Sequence, residues 1–166
     1  MLEQFFYLII GSQYLGFILN EYINKKEWKL TKTVLPQHTD HAGVMWHGSY
    51  FDFLEEGRID ALNQVGVTYS KLSKEGYEIP VIEAQIKYKK SFFHGEKVLL
   101  ISQYNLVNKI RLNCKTYFVK VNGEIGAEAL VELVVVKRKN DSIKVVRELP
   151  AEIEKILFLL EEGHEN

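Results

Sequence analysis

His38, Asp40, His41 and His47 crowd one short stretch, and Asp40 is the residue there best suited to chemistry. The run Thr39-Asp40-His41-Ala42-Gly43-Val44-Met45-Trp46-His47-Gly48-Ser49 sets turn formers around four apolar residues, so it reads as a loop. A helical pattern follows it. The first amides of a helix have no partner within it and act like about half a positive charge. A carboxylate facing such a helix start suits reactions at a carbonyl. The carboxylate attacks the carbon or activates a water, and the amides hold the charge that develops on the oxygen. Residue types do not choose between attack and activation. His47, at the helix start, offers an acid or base near neutral pH or simply its backbone amide; the amide role is favoured, with the ring lining a pocket. His38 and His41 invite a metal reading. No His pair stands at helical spacing and no fourth ligand is near, so both are read as structural or solvent-exposed, and no metal is expected. The plain alternative for Asp40 is a side chain that only closes an Asx-turn.

The elements that must position these groups are legible from periodicity. Phe51, Leu54, Arg58, Ala61, Leu62 and Val65 recur at three- and four-residue steps, which predicts a long helix. Ser49 is its expected N-cap, Asp52, Glu55 and Glu56 load its opening turns, and Gly66 is its expected C′ residue. Trp28 to Leu35 predicts a strand ended by Pro36, and Thr68 to Glu75 a short helical turn. Beyond Gly76 the period changes to two. Long strands are predicted over 78–93, 97–107, 109–121 and 124–139, with a further one at 142–147. Asn122-Gly123 predicts a two-residue hairpin turn with positive φ at both positions. Sequential strands joined by tight turns make an antiparallel sheet, giving an α+β class with the sheet wrapped around the helix. Residues 152–162 predict a closing amphipathic helix that covers an edge or a neighbouring subunit.

Thr39, Asp40, Gly43, Val44, His47, Tyr50, Glu55 or Glu56, and Arg58 together resemble the signature of the 4-hydroxybenzoyl-CoA thioesterase family of hotdog-fold proteins. Gly57 stands where that family usually has Ala, a small-for-small change in a helix lying close to a sheet. The resemblance covers about residues 28 to 150. It implies hydrolysis of an acyl-CoA or acyl-carrier-protein thioester without metal or redox cofactor. Asp40 would be the catalytic carboxylate, and the amide at the His47 position the oxyanion donor. It also implies sites built between subunits, hence at least a homodimer and an expected tetramer. Gly43, Val44 and Tyr50 are candidate substrate-binding residues on the same grounds, and Trp46, with Met45, is a candidate to line an acyl pocket by its apolar character. Trp46 and Met45 would otherwise be simply buried, and Tyr50 and Arg58 are equally explained by core packing and an intrahelical salt bridge. One of Glu55 and Glu56 would face the pocket of a second subunit, and nothing in the sequence selects which.

Coenzyme A carries phosphates, and Lys89 and Lys90, beside Lys87 and Tyr88, are candidates to meet them. Arg111, Lys115, Lys137, Arg138 and Lys139 are candidates for the same role, and the whole basic set is weighed equally as protection of exposed strands against edge pairing. The formal net charge of −1 argues against a nucleic-acid binder, and a hydrophobic fraction of 46% with 26% charged residues describes an ordinary globular chain. A lone cysteine, Cys114, excludes an intramolecular disulfide framework and reads as a buried structural thiol, with a cytoplasmic setting expected. Residues 1–27 form an apolar extension, broken at Gly11-Ser12-Gln13. An added helix is the expected reading; membrane contact through residues 5–23 is the second, not favoured, and an upstream start the third. Residues 151–166 are the closing helix and tail. Two rivals to hydrolysis stand: a hotdog dehydratase or hydratase, whose His-carboxylate pairing is not found around this helix, and a non-catalytic acyl-CoA-binding or regulatory hotdog protein.

Overall fold

The computed structural model describes residues 27–139 and 142–163. The expectations for residues 1–26, an added helix or a membrane contact, lie outside them. Strand β1 (Trp28–Thr33) leads through a 3-10 turn at Pro36–His38 to helix α1 (His47–Gln64), and a short helix α2 (Tyr69–Lys74) follows. Next come β2 (Tyr77–Glu78), β3 (Val81–Tyr88), β4 (Lys97–Asn108), β5 (Arg111–Lys120), β6 (Ile125–Val134), β7 (Val136–Lys139) and β8 (Ser142–Val145), then helix α3 (Ala151–Glu162). One sheet has five strands in the order β1-β4-β5-β6-β3, and a second has three in the order β2-β7-β8. Every pairing is antiparallel, as the hairpin-rich sequence demands.

Alternation along the strands sends one set of side chains toward α1. Val98, Leu100, Ser102 and Tyr104 of β4 and Leu112, Cys114, Thr116 and Phe118 of β5 are buried on that face. Helix α1 answers with Tyr50, Phe53, Gly57, Ala61 and Leu62. At Gly57 an added Cβ would meet Leu100 at 3.7 Å, ordinary contact, so the helix lies close to the sheet and alanine would also fit. Arg58 ties the helix to its surroundings. It donates from Nη1 to Ile79 O at 2.6 Å, pairs with Glu55, and lies 5.4 Å from the Tyr69 ring centre. Helix α3 buries Ile153, Ile156, Leu157 and Leu160, and the Trp28 indole N–H donates to Leu160 O at 2.8 Å. Among the described residues no helix is long and apolar enough to cross a membrane.

Several sequence expectations need correcting. Helix α1 begins at His47, three residues before the start that a Ser49 cap predicts; its N-cap is Trp46, with no side-chain cap bond, and Asp52, Glu55 and Glu56 fall beyond its first turn. Ser49 lies inside the first turn and is fully buried, its Oγ without a hydrogen-bond partner among the described residues. The strand predicted over 78–93 is broken, because Pro80 has no amide for the ladder and accepts instead from Val134 N. The strand predicted over 124–139 breaks at Val135, whose amide turns to Ile110 O, so β7 enters the second sheet. The Asn122-Gly123 hairpin closes as a longer loop. Gly123 N donates to Lys120 O at 2.9 Å, and Gly123 takes φ 85°. Gly66 is a C′ residue at φ 82°, in the Schellman arrangement of Val67 N to Leu62 O and Gly66 N to Asn63 O.

Candidate active site

Thr39 to Trp46 folds back on itself as a tight hairpin. Asp40 N donates to Val44 O (2.9 Å), Gly43 N to Asp40 O (3.0 Å) and Trp46 N to His38 O (3.1 Å). Gly43 holds φ 74°, a conformation that L side chains rarely adopt. The hairpin is clamped from the other side, since Met45 N donates to Phe92 O (2.8 Å) and His94 N to Gly43 O (3.0 Å). Gly43 therefore shapes the loop rather than lining a cavity. His38 is structural: its Nδ1 accepts from Leu35 N at 3.0 Å, and its ring meets Phe53 edge to face at 4.9 Å. His41 is exposed.

The carboxyl group of Asp40 divides its work. Oδ1 accepts from Ala42 N (2.9 Å) and Val44 N (3.1 Å), which is the Asx-turn expected of an Asp ahead of a Gly turn. Oδ2 has no hydrogen bond to the described residues, and the side chain is exposed. One oxygen therefore orients the group while the other is open to a ligand. The same hairpin ends at the start of α1. Ser49 N is taken by Trp46 O at 3.0 Å, but the amides of His47 and Gly48 lie where a helix has no internal acceptors. The indole of Trp46 lies across Gly48, where an added Cβ would fall 2.1 Å from its far edge, and meets the His47 ring at 5.1 Å between centroids. Trp46 is 42% exposed, so the expectation that it is simply buried fails, whereas Met45 is buried.

A cleft of about 370 Å³ opens beside this helix start, lined by Val44, Met45, His47, Tyr50, Tyr88, Lys89, Lys90 and Ser91. The sequence candidates Val44, His47, Tyr50, Lys89 and Lys90 meet there. Asp40, Gly43 and Trp46 flank it without lining it in one subunit. Tyr50 is buried against Tyr88 (4.9 Å), Phe118 (5.1 Å) and Phe92 (6.4 Å). Burial, with Tyr88 adding to it, pushes its phenol up to about 12, so it stays a neutral hydroxyl. Lys89 is engaged by Glu128, whose carboxyl is held low by that bond, while Lys90 has no ion pair among the described residues. Glu55 pairs with Arg58 and Glu56 with Lys32, so both carboxylates are committed within their own subunit. Cys114 is buried, and desolvation pushes its thiol up, which suits a structural role. Tyr88 and Ser91 are lining residues not singled out from sequence. Tyr88 shares the period-2 face of Ala84 and Ile86, a signal that could have placed it toward the helix; Ser91 carried none.

Residues 34–157 match the family model described as the thioesterase-like superfamily, and the chain belongs to that superfamily. It is similar to the "putative esterase" of Synechocystis sp., 29% identical over 141 residues, covering 84% of each chain. It is also similar to the 1,4-dihydroxy-2-naphthoyl-CoA hydrolase of Thermosynechococcus vestitus, 35% identical over 68 residues, covering 40% of this chain and 47% of that one. Among solved structures, the DHNA-CoA thioesterase of Staphylococcus aureus has a similar fold, with a TM-score of 0.71 at 24% identity, covering 78% of this chain and 87% of that one. The architecture is thus a mixed α/β, antiparallel, hotdog-like one, and its named relatives are thioester hydrolases and esterases.

Proposed function

We propose that this protein hydrolyses acyl-CoA thioesters to the free acid and thiol, in the manner of the 4-hydroxybenzoyl-CoA branch that the Thr39–Arg58 signature resembles. Asp40 acts as nucleophile or general base through Oδ2, and the amides of His47 and Gly48 receive the oxyanion. Val44, Trp46 and Tyr50 face the acyl group, Lys90 the carrier, and Gly43 sets the turn that aims Asp40. The reaction draws on no metal or redox cofactor. The observation that carries the reading is the division of Asp40, with one oxygen fixed by two turn amides and the other open, immediately ahead of unpartnered helix amides. A relative named for hydrolysing a CoA thioester supports the substrate class.

The working unit is at least a homodimer. Among the described residues strand β3 is an open edge of the larger sheet and carries exposed Val81, Ile82 and Tyr88, whereas the other edge, β1, presents Lys29, Thr31 and Thr33. Isologous pairing of β3 with a second copy covers that edge and brings a second subunit to the cleft. Binding without turnover is the second reading, favoured by the absence of Asp40 from the lining of the cleft within one subunit. Thiol release from a panel of aryl and alkyl acyl-CoAs separates the two. Turnover by the wild type that disappears in Asp40→Asn is expected, and tight acyl-CoA binding with no turnover of any panel member refutes hydrolysis.

A further inference from the structure

The face of the larger sheet that turns away from α1 is not uniformly open. Strand alternation points Leu99, Ile101 and Gln103 of β4 and Lys115, Tyr117 and Val119 of β5 outward. The register sets Leu99 beside Val119 and Ile101 beside Tyr117, so these four side chains form one apolar block across the two strands. Tyr117 is only 6% exposed, yet it belongs to neither buried cluster of the core. Lys115 Nζ lies 4.8 Å from the centre of its ring and shields part of it. Leu99, Ile101 and Val119 are half-buried. Toward β3 the same face opens: Leu130 of β6 is 44% exposed, and Glu83, Gln85 and Lys87 of β3 are exposed as well. Helices α1 and α3 do not supply the cover, because their buried side chains join the clusters on the opposite face.

The chain enters the sheet beside this block. Glu27 directly precedes β1, and the register of β1 with β4 carries it across from Gln103. Its Oε1 accepts from the outward-pointing Gln103 Nε2 at 3.0 Å, which fixes the point of entry on the outer face. Ahead of it stand Phe5-Phe6-Tyr7-Leu8-Ile9-Ile10 and Tyr14-Leu15-Gly16-Phe17-Ile18-Leu19. A run of that composition gains by leaving water, and the block is the apolar surface nearest its attachment. Two strand spacings, about 10 Å, separate β1 from β5. Residues 20–26 reach about 24 Å when extended, so the connection is long enough. We propose that the apolar run of residues 5–19 lies over Leu99, Ile101, Tyr117 and Val119 of its own subunit and closes this face to a second copy. Tethering at Glu27 gives the run a local concentration that a separate molecule does not match. The family match begins at residue 34, so the cover belongs to this chain's extension and not to the shared domain. The β3 edge lies two strands beyond β5 and stays free for the pairing proposed above.

Photo-cross-linking in the full chain tests this cover. The photoreactive residue p-benzoylphenylalanine replaces Ile101 in one variant and Val119 in another, so that one folded variant suffices. Heavy-isotope-labelled and unlabelled chains are incubated together before irradiation, and the cross-linked peptides are read by mass spectrometry. The expected product joins the probe to residues 1–26 within one isotopic species. A product joining it to residues 1–26 of the other species overturns the placement within one subunit. A product joining it to β4 or β5 of another copy means that a second copy covers the face, and the proposal fails; it fails equally if no cross-link forms. A cross-link that disappears when phosphatidylcholine vesicles are added gives the run to a lipid surface instead. Adding Leu8→Asp/Leu15→Asp to the same chain puts a charge in each half of the run. The cross-link is then lost, and the mass by light scattering doubles as the uncovered block takes a second copy. A cross-link of undiminished yield refutes the apolar packing, and an unchanged mass refutes the closure. None of these readings depends on turnover, so they stand apart from the test of hydrolysis.

Discussion

Asp40 can be replaced in two ways that separate its structural bond from its chemistry. Asparagine keeps an Oδ1 acceptor of the same size, so the bonds from Ala42 N and Val44 N at 2.9 and 3.1 Å survive, weakened only by loss of charge. Alanine removes both. At about 0.5–1.5 kcal/mol net for each bond, and toward the low end because the turn is exposed, Asp40→Ala destabilises the fold by about 1–2 kcal/mol and Asp40→Asn by less than about 1 kcal/mol. Activity follows a different order. Neither variant has a carboxylate at Oδ2, so both lose on the order of 10²–10⁴ in kcat as removal of a general base predicts, and more if Asp40 is the nucleophile. Urea denaturation of the two variants, followed by thiol release at a temperature where both are folded, reads the two effects apart. The reasoning is refuted if Asp40→Asn keeps kcat within about threefold of the wild type, for then the carboxylate serves only the turn. Equal stability of Asp40→Ala and the wild type would refute the anchoring role of Oδ1.

Gly126→Ala would drive a Cβ to 2.2 and 2.5 Å from the ring of Phe92, which is fully buried and cannot swing aside. Overpacking of this kind costs about 3 kcal/mol in urea denaturation, and a change under about 0.5 kcal/mol would contradict it. Because Lys89 N and Lys90 N both donate to Gly126 O, the same variant also disturbs the rim of the cleft. Gly48→Ala meets the far edge of an exposed indole instead, so Trp46 moves into solvent at little cost to stability. Its emission shifts to the red while buried Trp28 is unchanged, and an unaltered spectrum would show that the indole does not lie over Gly48. Folding favours the neutral form of Tyr50, whose phenol is raised from 10.0 to about 12. Its contribution is complete below pH 10 and is lost as pH rises through 12, which alkaline unfolding compared with Tyr50→Phe will read; identical alkaline limbs would refute it.

Signals that reach only a few residues are legible in the sequence alone. The three- and four-residue recurrence of Leu54, Arg58, Ala61 and Leu62 announces α1, and Gly66 marks its end, because helix bonds and caps are local. The turn around Asp40 and Gly43 is local too, which is why the Asx bond was legible as one reading of Asp40; that it takes up only one of the two carboxyl oxygens was not. Local reading misjudged the cap. Ser49 has the right chemistry for an N-cap, but the helix starts three residues earlier, at His47, and the hydroxyl is buried in its first turn. Partner choice between distant segments was not in the residues at all. Tyr88 meets Tyr50, Lys89 is claimed by Glu128, and β7 runs past the start of β3 only because the strands are ordered β1-β4-β5-β6-β3. Periodicity states which face a strand buries and is silent on its neighbour, since register is decided by packing summed over the whole sheet. Composition and spacing thus determined that an acidic turn residue, Asp40, would precede the start of a long helix in the chain. Tertiary structure alone decided which aromatic and basic groups line the cleft beside that helix start, because those groups come from strands distant in the chain.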